Sequence, residues 1–420
     1  MYALADCNNF FVSCERAFQP ELEGRPVVVL SNNDGCVVAR SNESKAMGIK
    51  MGTPYYQVKN LVESGKLWVR SSNYNLYGDL SSRVMAIIAD SVPDIEVYSI
   101  DECYMILDGM DMAKVPDICR GLVKKIRAWV GIPVSIGIAP TKTLAKVANH
   151  FAKRYAGYHG VCLMDSEEKR NKALALTEIG DVWGIGWRMA PKLKAVGITT
   201  AADFVARPES WVQKNMGIQG VRTWRELQGI ESVLDDRHEK RQSICTSRSF
   251  AEMIDDIKEL SLRVSDFAAK CAEKLRKEET AAYCVNVFLA TSPFRNDLPQ
   301  YYPKVTIKLP VAASSTAEIV GAALKALRLA YRPGYQYKRA GVTVYDIVEA
   351  DEVEGTLFGF DDSLREKQDK LSEVMDKVNG KGKSLLRLAT QRPGHYADGI
   401  RRDHLSRLYS TSWNDLLEVK

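Results

Sequence analysis

Apolar residues in the first 165 positions fall into short runs and helix-spaced patterns that alternate along the chain. The run at 2–6 predicts a strand, and the run at 25–30 predicts a second one that is buried. Residues 96–100 and 103–107 predict two more strands on either side of a turn, which together indicate a hairpin.

A helical pattern follows over about 118–129, then a strand at 133–138 and a helix from Thr141 to about Lys153. Strand, helix, two strands, helix and strand is the order of a split βαβ, or ferredoxin-like, domain. The stretch from about 20 to 69 does not belong to that order, and we interpret it as an insertion.

Glycines and charges divide the rest of the chain. Short helical patterns separated by glycines occupy 166–232, and the charged run that follows predicts a linker at 233–241. From 242 to 350 the strand and helix patterns recur in a similar order, which predicts a second α+β domain. Residues 351–420 are first acidic and then basic with no clear core pattern, so we predict a docking tail with little structure of its own.

Composition is that of a globular protein with several cores: the chain has 420 residues, of which 45% are hydrophobic and 26% charged. No apolar run approaches the roughly 18 residues of a membrane span, and the N-terminus does not resemble a signal peptide. Nine scattered cysteines without a C-x-x-C pair favour reduced thiols in a cytosolic protein. Because the net charge is only +5, binding to nucleic acid has to be argued from where the charges lie.

Three acidic residues stand beside predicted strands, and this position is unfavourable for a charge without a partner. Asp6 ends the first strand, and Asp101 and Glu102 are adjacent in the predicted hairpin. Neighbours on one straight strand point to opposite faces, so both can serve one site only at a strand end or a turn. Carboxylate oxygens suit Mg²⁺, and two such ions can support phosphoryl transfer. A solvated turn without metal is the alternative.

Two basic segments are compatible with phosphate binding. Lys142 and Lys146 lie four residues apart at a predicted helix start that follows a strand, although no glycine precedes Lys142 as in a Walker A loop. In the insertion, the polar segment 31–40 leads to Lys45. A solvated helix face is the alternative for the lysine pair.

Together these stretches resemble the Y-family of DNA polymerases. The matching segments are Ala5–Glu15, Arg25–Val29, Lys45–Gly52, Tyr98–Glu102 and Gly137–Lys146. Within the family, the segment 31–37, the triplet Ser292-Pro-Phe and the C-terminal sequence resemble the branch that contains the catalytic subunit of bacterial and plasmid DNA polymerase V.

The resemblance implies an α+β, multidomain, right-hand polymerase. It assigns a ferredoxin-like palm to 1–20 and 70–165, fingers to 21–69 and a helix-hairpin-helix thumb to 166–232. It assigns a DNA-binding little finger to 242–350 and a partner-docking tail to 351–420.

The resemblance also implies roles for individual residues. Asp6, Asp101, Glu102 and the Cys7 carbonyl would bind two Mg²⁺ ions. Phe11 falls at the steric gate, the aromatic ring that excludes a ribose 2′-hydroxyl. The other predicted nucleotide contacts are Phe10, Asn42, Lys45 and Lys146, and Lys45 and Asn42 depart from the residues that many relatives carry. Core packing is the alternative for Phe10 and Phe11.

For DNA, the segment 181–198 predicts a helix, a glycine turn, a second helix and a glycine cap, an arrangement that binds phosphates without reading sequence. The predicted DNA contacts in this thumb segment and on the little-finger strands are Gly184, Gly186, Lys192, Lys194, Arg248, Lys304, Lys308, Lys338 and Arg339. In the tail, the predicted sliding-clamp contacts are Thr356, Leu357, Phe358 and Phe360, without the usual leading glutamine.

The implied function is error-prone translesion synthesis in the SOS response to DNA damage, with primer-template DNA and dNTPs as substrates. The implied partners are a processed UmuD′-like accessory dimer, a RecA-type recombinase filament and a sliding clamp, in the cytoplasm and on nucleoid DNA. Two alternatives remain, a non-catalytic DNA-binding scaffold and another palm-type nucleotidyl enzyme such as a cyclase.

Overall fold

The computed structural model describes residues 1–233, 241–353, 362–380, 385–392 and 401–417. The chain divides into two compact units. The first contains Met1–His238 and Arg402–Lys420, and the second contains Glu239–Arg401.

The first half of unit one alternates strands and helices. Its elements are β1 (Tyr2–Cys7), α1 (Phe10–Phe18), β2 (Val27–Leu30), β3 (Val37–Arg40), α2 (Asn42–Ala46), α3 (Tyr55–Glu63), β4 (Trp68–Ser71), α4 (Tyr74–Ala89), β5 (Asp94–Val97), β6 (Glu102–Ile106), α5 (Val115–Val130), β7 (Val134–Ala139), α6 (Lys142–Arg154) and β8 (Val161–Leu163).

A central sheet with the strand order β5-β6-β1-β7-β8 organises unit one. β1 lies between β6 and β7 and is antiparallel to both, while β7 and β8 are parallel. Ala3, Leu4 and Ala5 of β1 are almost completely buried because both faces of the sheet are covered by helices. The predicted split βαβ pattern and the hairpin of β5 and β6 are confirmed.

The predicted insertion forms a separate sheet in the order β3-β2-β4. Val28 and Leu30 of β2 pack into a small hydrophobic core together with α3 residues, while Val27 and Val29 pack towards the main core. Continuous burial of β2 explains its continuously apolar sequence.

The helical region of unit one contains α7 (Glu167–Leu176), α8 (Ala190–Ala195), α9 (Ala201–Val205) and α10 (Glu209–Leu227). The prediction that the 181–198 motif begins with a helix is wrong, because the structure has only a single 3-10 turn there, Ile179–Asp181. The glycine turn, the second helix α8 and the cap at Gly197, whose φ is 79°, are present as expected.

Unit two contains β9 (Ser243–Ile254), α11 (Ile257–Lys277), β10 (Thr280–Thr291), β11 (Lys304–Ala313), α12 (Thr316–Ala330), β12 (Tyr337–Glu349) and α13 (Asp362–Asn379). Its strands form one antiparallel sheet in the order β11-β10-β12-β9. Val285, Val287, Val342 and Val344 face α11 and α12 across a hydrophobic core, which confirms the predicted second α+β domain.

The prediction that 351–420 has little structure of its own is wrong. Residues 362–379 form α13, and Arg276 of α11 binds Asp376 on it through two hydrogen bonds of 2.7 and 2.8 Å. Farther along, Tyr409 stacks on Phe18 with ring centroids 4.9 Å apart, within unit one. Among the described residues, no helix is long and apolar enough to cross a membrane.

Candidate active site

Strand pairing brings two of the predicted carboxylates together. Asp6 of β1 and Glu102 of β6 are directly opposite each other in the register. Directly opposite residues of an antiparallel pair point to the same face of the sheet, so the two side chains share one side of the central sheet. Both are mostly buried, with exposed side-chain fractions of 14% and 20%.

Asp101 lies in the turn that leads into β6, as the hairpin prediction required. Its carbonyl accepts a 2.9 Å hydrogen bond from the Cys7 amide of β1. Its carboxylate accepts a 2.6 Å bond from the Ser99 hydroxyl, and that hydroxyl oxygen also accepts from the amides of Asp101 and Glu102. Ser99 therefore fixes the turn that places consecutive acids at one strand end.

Helix α6 presents two lysines to these acids. Lys146 Nζ lies 3.1 Å from Glu102 Oε2, and Lys153 Nζ lies 2.6 Å from Asp6 Oδ1. Sequence reasoning selected Lys146 and missed Lys153. The spacing of Lys146 and Lys153 could have identified it, because residues seven positions apart on a helix occupy the same face.

The inference that Lys142 shares this phosphate-facing surface is wrong. Lys142 is 3% exposed and its Nζ forms a 2.6 Å ion pair with the buried carboxylate of Glu96. A buried lysine with a buried partner is a structural ion pair, and removal of either member would leave a charge without compensation.

Two aromatic rings confine Lys146. Its Nζ lies 4.4 Å from the ring centre of Tyr98 and 5.0 Å from that of Trp183. The electron-rich ring faces attract the ammonium group, so they hold Lys146 beside Glu102. Sequence reasoning did not identify Tyr98 or Trp183 as part of the site.

Asp6 ionises less readily than an ordinary aspartate. Burial raises the pKa of Asp6 to about 6, against the lowering effect of Lys153, and the charges of Glu102 and Asp101 raise it further. This carboxyl group is therefore poised to exchange a proton for a cation close to neutral pH.

The donor set fits a divalent cation. Three carboxylates lie at one end of the central strands, and carboxylate oxygens are ligands that Mg²⁺ uses. Asp6 and Glu102 each already attract an ammonium group. Within the described part of the chain, no three acidic, histidine or cysteine side chains are gathered closely enough to hold an ion. A cation bound by Asp6 and Glu102 would therefore compete with Lys153 and Lys146 for their carboxylate oxygens.

A second polar cluster joins the insertion to the start of α1. Its central residue is Asn9, the N-cap of α1, and the insertion contributes Lys45 and Asn42. Lys45 Nζ donates to Asn9 Oδ1 at 2.5 Å, and Asn9 Nδ2 donates to Asn42 Oδ1 at 3.1 Å. Burial lowers the pKa of Lys45, Arg40 and Lys153 lower it further, and Asp6 opposes them. Lys45 and Asn42 therefore both contact Asn9, a residue that sequence reasoning missed.

The two phenylalanines that begin α1 have different surroundings. Phe10 is 3% exposed in the hydrophobic core, which supports core packing rather than contact with a nucleotide. Phe11 is half-buried and stacks on Tyr77 of α4 with ring centroids 4.6 Å apart and planes at 15°. Tyr74 contacts the Phe11 ring edge-on at 5.8 Å. Phe11 is thus the aromatic ring at the edge of the core.

In the helical region, Gly184 and Gly186 are exposed at the turn before α8, and Lys192 is exposed on α8 itself. Lys194 forms a 3.1 Å ion pair with Glu178, both largely exposed to solvent. Gly184 has a φ of 87°, and a Cβ there would lie 2.8 Å from the Thr223 hydroxyl, so this turn requires glycine.

The register of unit two divides four of its five predicted DNA contacts between two faces, and Lys338 lies at a register shift. Lys304 and Lys308 of β11, with Arg339 of β12, lie on the face opposite the helices. Arg248 is paired with the buried Ala340 and lines a pocket with α11 residues, and Lys338 Nζ donates to the Ala251 carbonyl at 3.0 Å. The open face is therefore a smaller basic surface than the sequence suggested.

The predicted clamp contacts Thr356, Leu357, Phe358 and Phe360 lie outside the described residues.

The chain matches three protein-family models. Residues 5–150 match the model of the impB/mucB/samB family, 241–357 match its C-terminal domain, and 369–419 match a domain of unknown function, DUF4113. Protein UmuC of Salmonella typhimurium is 39% identical over 424 residues and covers 100% of both chains. DNA polymerase IV 1 of Bacillus subtilis is 28% identical over 396 residues, 91% of each chain.

Among solved structures, a chimera of the Y-family DNA polymerases Dbh and Dpo4 matches with a TM-score of 0.65 at 20% sequence identity. The match covers 83% of this chain and 99% of the chimera, and it concerns the fold.

Proposed function

This chain belongs to the impB/mucB/samB family, and on that premise we propose how its site performs template-directed nucleotide addition. The chain is the catalytic subunit of an error-prone translesion polymerase of the Y-family, a DNA-directed DNA polymerase. The observation that carries the assignment of the site is the strand register, which sets Asp6 opposite Glu102 with Asp101 tied to β1 through the Cys7 amide.

In the reaction, the 3′-hydroxyl of a primer attacks the α-phosphorus of a dNTP, a new phosphodiester bond forms and pyrophosphate leaves. Asp6, Asp101, Glu102 and the Cys7 carbonyl would hold the divalent cations, which we propose to be two Mg²⁺ ions. When bound, such ions would lower the pKa of the attacking hydroxyl and neutralise charge on the phosphate oxygens. Ser99 keeps the Asp101 turn in place while cations and substrate enter.

The lysines change partners when nucleotide binds. Lys146 and Lys153 balance the acids, and a cation in the site would release their ammonium groups toward the triphosphate. Tyr98 and Trp183 keep Lys146 within reach during that exchange. Lys45, held by Asn9 and Asn42, provides a further positive charge from the insertion.

Nucleotide selection is assigned to Phe11. Its ring is fixed against Tyr77 and Tyr74 and lies at the start of α1, directly after the strand that carries Asp6. A rigid aromatic ring below the sugar would exclude a 2′-hydroxyl by overlap, because tightly packed rings cannot give way without loss of contacts.

Primer extension tests the assignment. We expect wild-type protein to add template-directed dNTPs with Mg²⁺, and Asp101→Asn to lose about 100-fold or more of that activity while keeping DNA affinity. The matched control is Asp117→Asn on α5, whose side chain is 78% exposed and pairs with Arg120. Near-normal extension by Asp101→Asn would contradict the assignment.

The same assay addresses the two alternatives. A scaffold would bind primer-template DNA without extension, and a cyclase would consume a nucleoside triphosphate without a template. The open basic face of unit two supports the polymerase, because a cyclase has no need for a DNA-binding surface.

Partners remain part of the proposal. We propose that a processed UmuD′-like dimer, a RecA-type filament and a sliding clamp act on this chain on DNA in the cytoplasm, as the family resemblance implies. Extension across an abasic template with and without these proteins tests the proposal, and equal extension in both conditions would contradict it.

A further inference from the structure

A second set of contacts continues from Phe11 away from the carboxylates. The Phe11 ring stacks on Tyr77, and Tyr77 is completely buried on α4. The Tyr77 hydroxyl donates a 2.7 Å hydrogen bond to Glu15 Oε1. Glu15 belongs to the same helix as Phe11, one turn farther on, so α1 and α4 are joined both by rings and by a polar bond.

Glu15 is a buried acid, with 0% of its surface exposed. Its other donors are Gln19 Nε2 at 3.4 Å and the Ser406 hydroxyl at 3.1 Å, the latter to the same oxygen that accepts from Tyr77. A buried carboxyl group is stable only when its oxygens are hydrogen-bonded, so each of these donors is under a strong constraint to stay in position.

Ser406 comes from the far end of the chain. We call residues 402–415 the C-terminal strap. Its backbone is anchored at His404, which exchanges two 3.0 Å hydrogen bonds with Ser71 at the end of β4. Tyr409 stacks on Phe18 at the end of α1, with ring planes only 1° apart. The strap thus contacts β4 and α1, the helix that begins with Phe10 and Phe11.

A second connection reaches α4 directly. Asn73 Oδ1 accepts from the Leu76 amide and so caps the start of α4. Asn73 Nδ2 donates to Ser406 Oγ at 2.9 Å and to the Arg407 carbonyl at 3.1 Å. The strap is therefore connected to Tyr77 in two ways. Ser406 shares the Glu15 acceptor with the Tyr77 hydroxyl, and it also accepts from Asn73, which caps the helix of Tyr77.

We propose that the C-terminal strap is part of the sugar-selecting site: Ser406 positions Glu15 and Tyr77, and these position the Phe11 ring. Ser406, Glu15 and Tyr77 are positioning residues in this scheme, since none of them touches the nucleotide. The inference rests on the proposed role of Phe11 as steric gate. It gives the C-terminal segment a task within the polymerase itself, besides any docking of partners.

The test compares insertion of a dNTP and the matching rNTP opposite one template base in the full chain. We expect Ser406→Ala and Tyr77→Phe to lower the ratio of kcat/KM for the dNTP to that for the rNTP by about three- to tenfold, as the loss of one buried hydrogen bond allows. Tyr77→Phe keeps the ring stacked and removes only the hydroxyl. Ser406→Thr retains the hydroxyl and should restore the ratio.

Tyr55→Phe is the matched control. Its hydroxyl contacts His404 Nε2 at 3.1 Å, so the variant loses a strap contact of the same kind without touching Glu15 or α4. We expect its ratio to equal that of wild type. A merely structural role of the strap would lower insertion of both nucleotides alike and leave every ratio unchanged.

Phe11→Ala separates the possible failures. If Phe11→Ala loses discrimination while Ser406→Ala and Tyr77→Phe keep the wild-type ratio, the role of the strap is refuted and the gate stands. If Phe11→Ala also keeps the ratio, the gate assignment and this inference fail together. If wild type adds no nucleotide at all, the proposed function itself fails.

Discussion

Single residues at this site act through charge balance in a buried setting. Asp6 and Glu102 are each neutralised by one lysine of α6, and the insertion adds Lys45 nearby. A site in which acids pair with lysines can bind either a cation or a polyphosphate. A cation replaces an ammonium group beside a carboxylate, and a phosphate replaces a carboxylate beside an ammonium group. A proton on Asp6 then competes with a cation for the same carboxylate oxygens.

We predict that divalent metal binding weakens below about pH 6. The pKa of Asp6 is raised to about 6, so a proton occupies its carboxyl group at pH 5 and a metal ion has to displace it. The Mg²⁺ concentration needed for half-maximal extension should rise by up to about tenfold per pH unit below that value. Measurement of this concentration at pH 5, 6 and 7.5 checks the prediction, and a constant value would contradict it.

Lys153→Met tests the cause of that pH dependence, and Lys169→Met is its control. The Lys153 charge lowers the pKa of Asp6, so its loss should move the weakening to higher pH by about one unit or more. Lys169→Met on α7, which loses an exposed lysine paired with Asp165, should leave the profile unchanged.

At the level of elements, the placement of Lys146 and Lys153 depends on how closely α6 packs on β7. A Cβ on Gly137 of β7 would lie 2.1 Å from the Asn149 amide and 2.2 Å from the Ala145 carbonyl, both in α6. Asn149 also donates to the Leu4 and Ser135 carbonyls at 3.2 and 2.7 Å. The helix therefore lies directly on the strand backbone.

We predict that Gly137→Ala is disruptive. The added methyl group has to push α6 from the sheet, so the free energy of unfolding should fall by about 3 kcal/mol. Extension should fall as well, because α6 carries Lys146 and Lys153. Gly121→Ala on α5, where a Cβ meets nothing within 4 Å, should be neutral or stabilising in the same denaturant titrations. Equal stability of the two variants would contradict the close packing.

The open face of the second sheet is the other element with a predicted task. Lys304→Ala with Lys308→Ala should weaken binding to every DNA sequence alike and reduce the slope of log affinity against log salt by about 2. Lys270→Ala with Lys277→Ala on α11 removes the same charge from exposed positions on the helical side and should change the slope much less. Loss of binding to particular sequences only would contradict a role in phosphate contact.

At the level of the whole chain, the C-terminal region is divided between the two units. Residues through Arg401 belong to unit two, and Arg402–Lys420 belongs to unit one. Within unit one the strap supplies backbone hydrogen bonds to β4 and an aromatic ring to α1. A truncation therefore removes part of a folded unit as well as any docking segment.

We predict that deletion of 402–420 lowers the thermal unfolding midpoint of the chain. Loss of the Tyr409 ring and of the His404 hydrogen bonds should reduce the free energy of unfolding by about 2 kcal/mol or more. Thermal melts of the truncated and full chains check this, with a Trp413→Ala variant as control because that ring is 90% exposed. An unchanged midpoint would show that the strap is a passive appendage.

Local patterns in the sequence determined the secondary-structure elements of this protein. Apolar runs and helix periods located the strands and helices of both α+β regions, and they placed Asp6 and Glu102 on strands and Lys146 on a helix, where the structure has them. These features succeed because side-chain periodicity and turn chemistry act over a few residues.

Tertiary structure alone decided which side chains meet. It buried Lys142 against Glu96, directed Lys153 to Asp6, and separated Arg248 from Lys304 by strand register. It also joined Ser406 to Glu15 across 391 positions of sequence. Such pairings depend on register and on the packing of distant segments, and a change of one residue in register reverses the face on which a side chain lies.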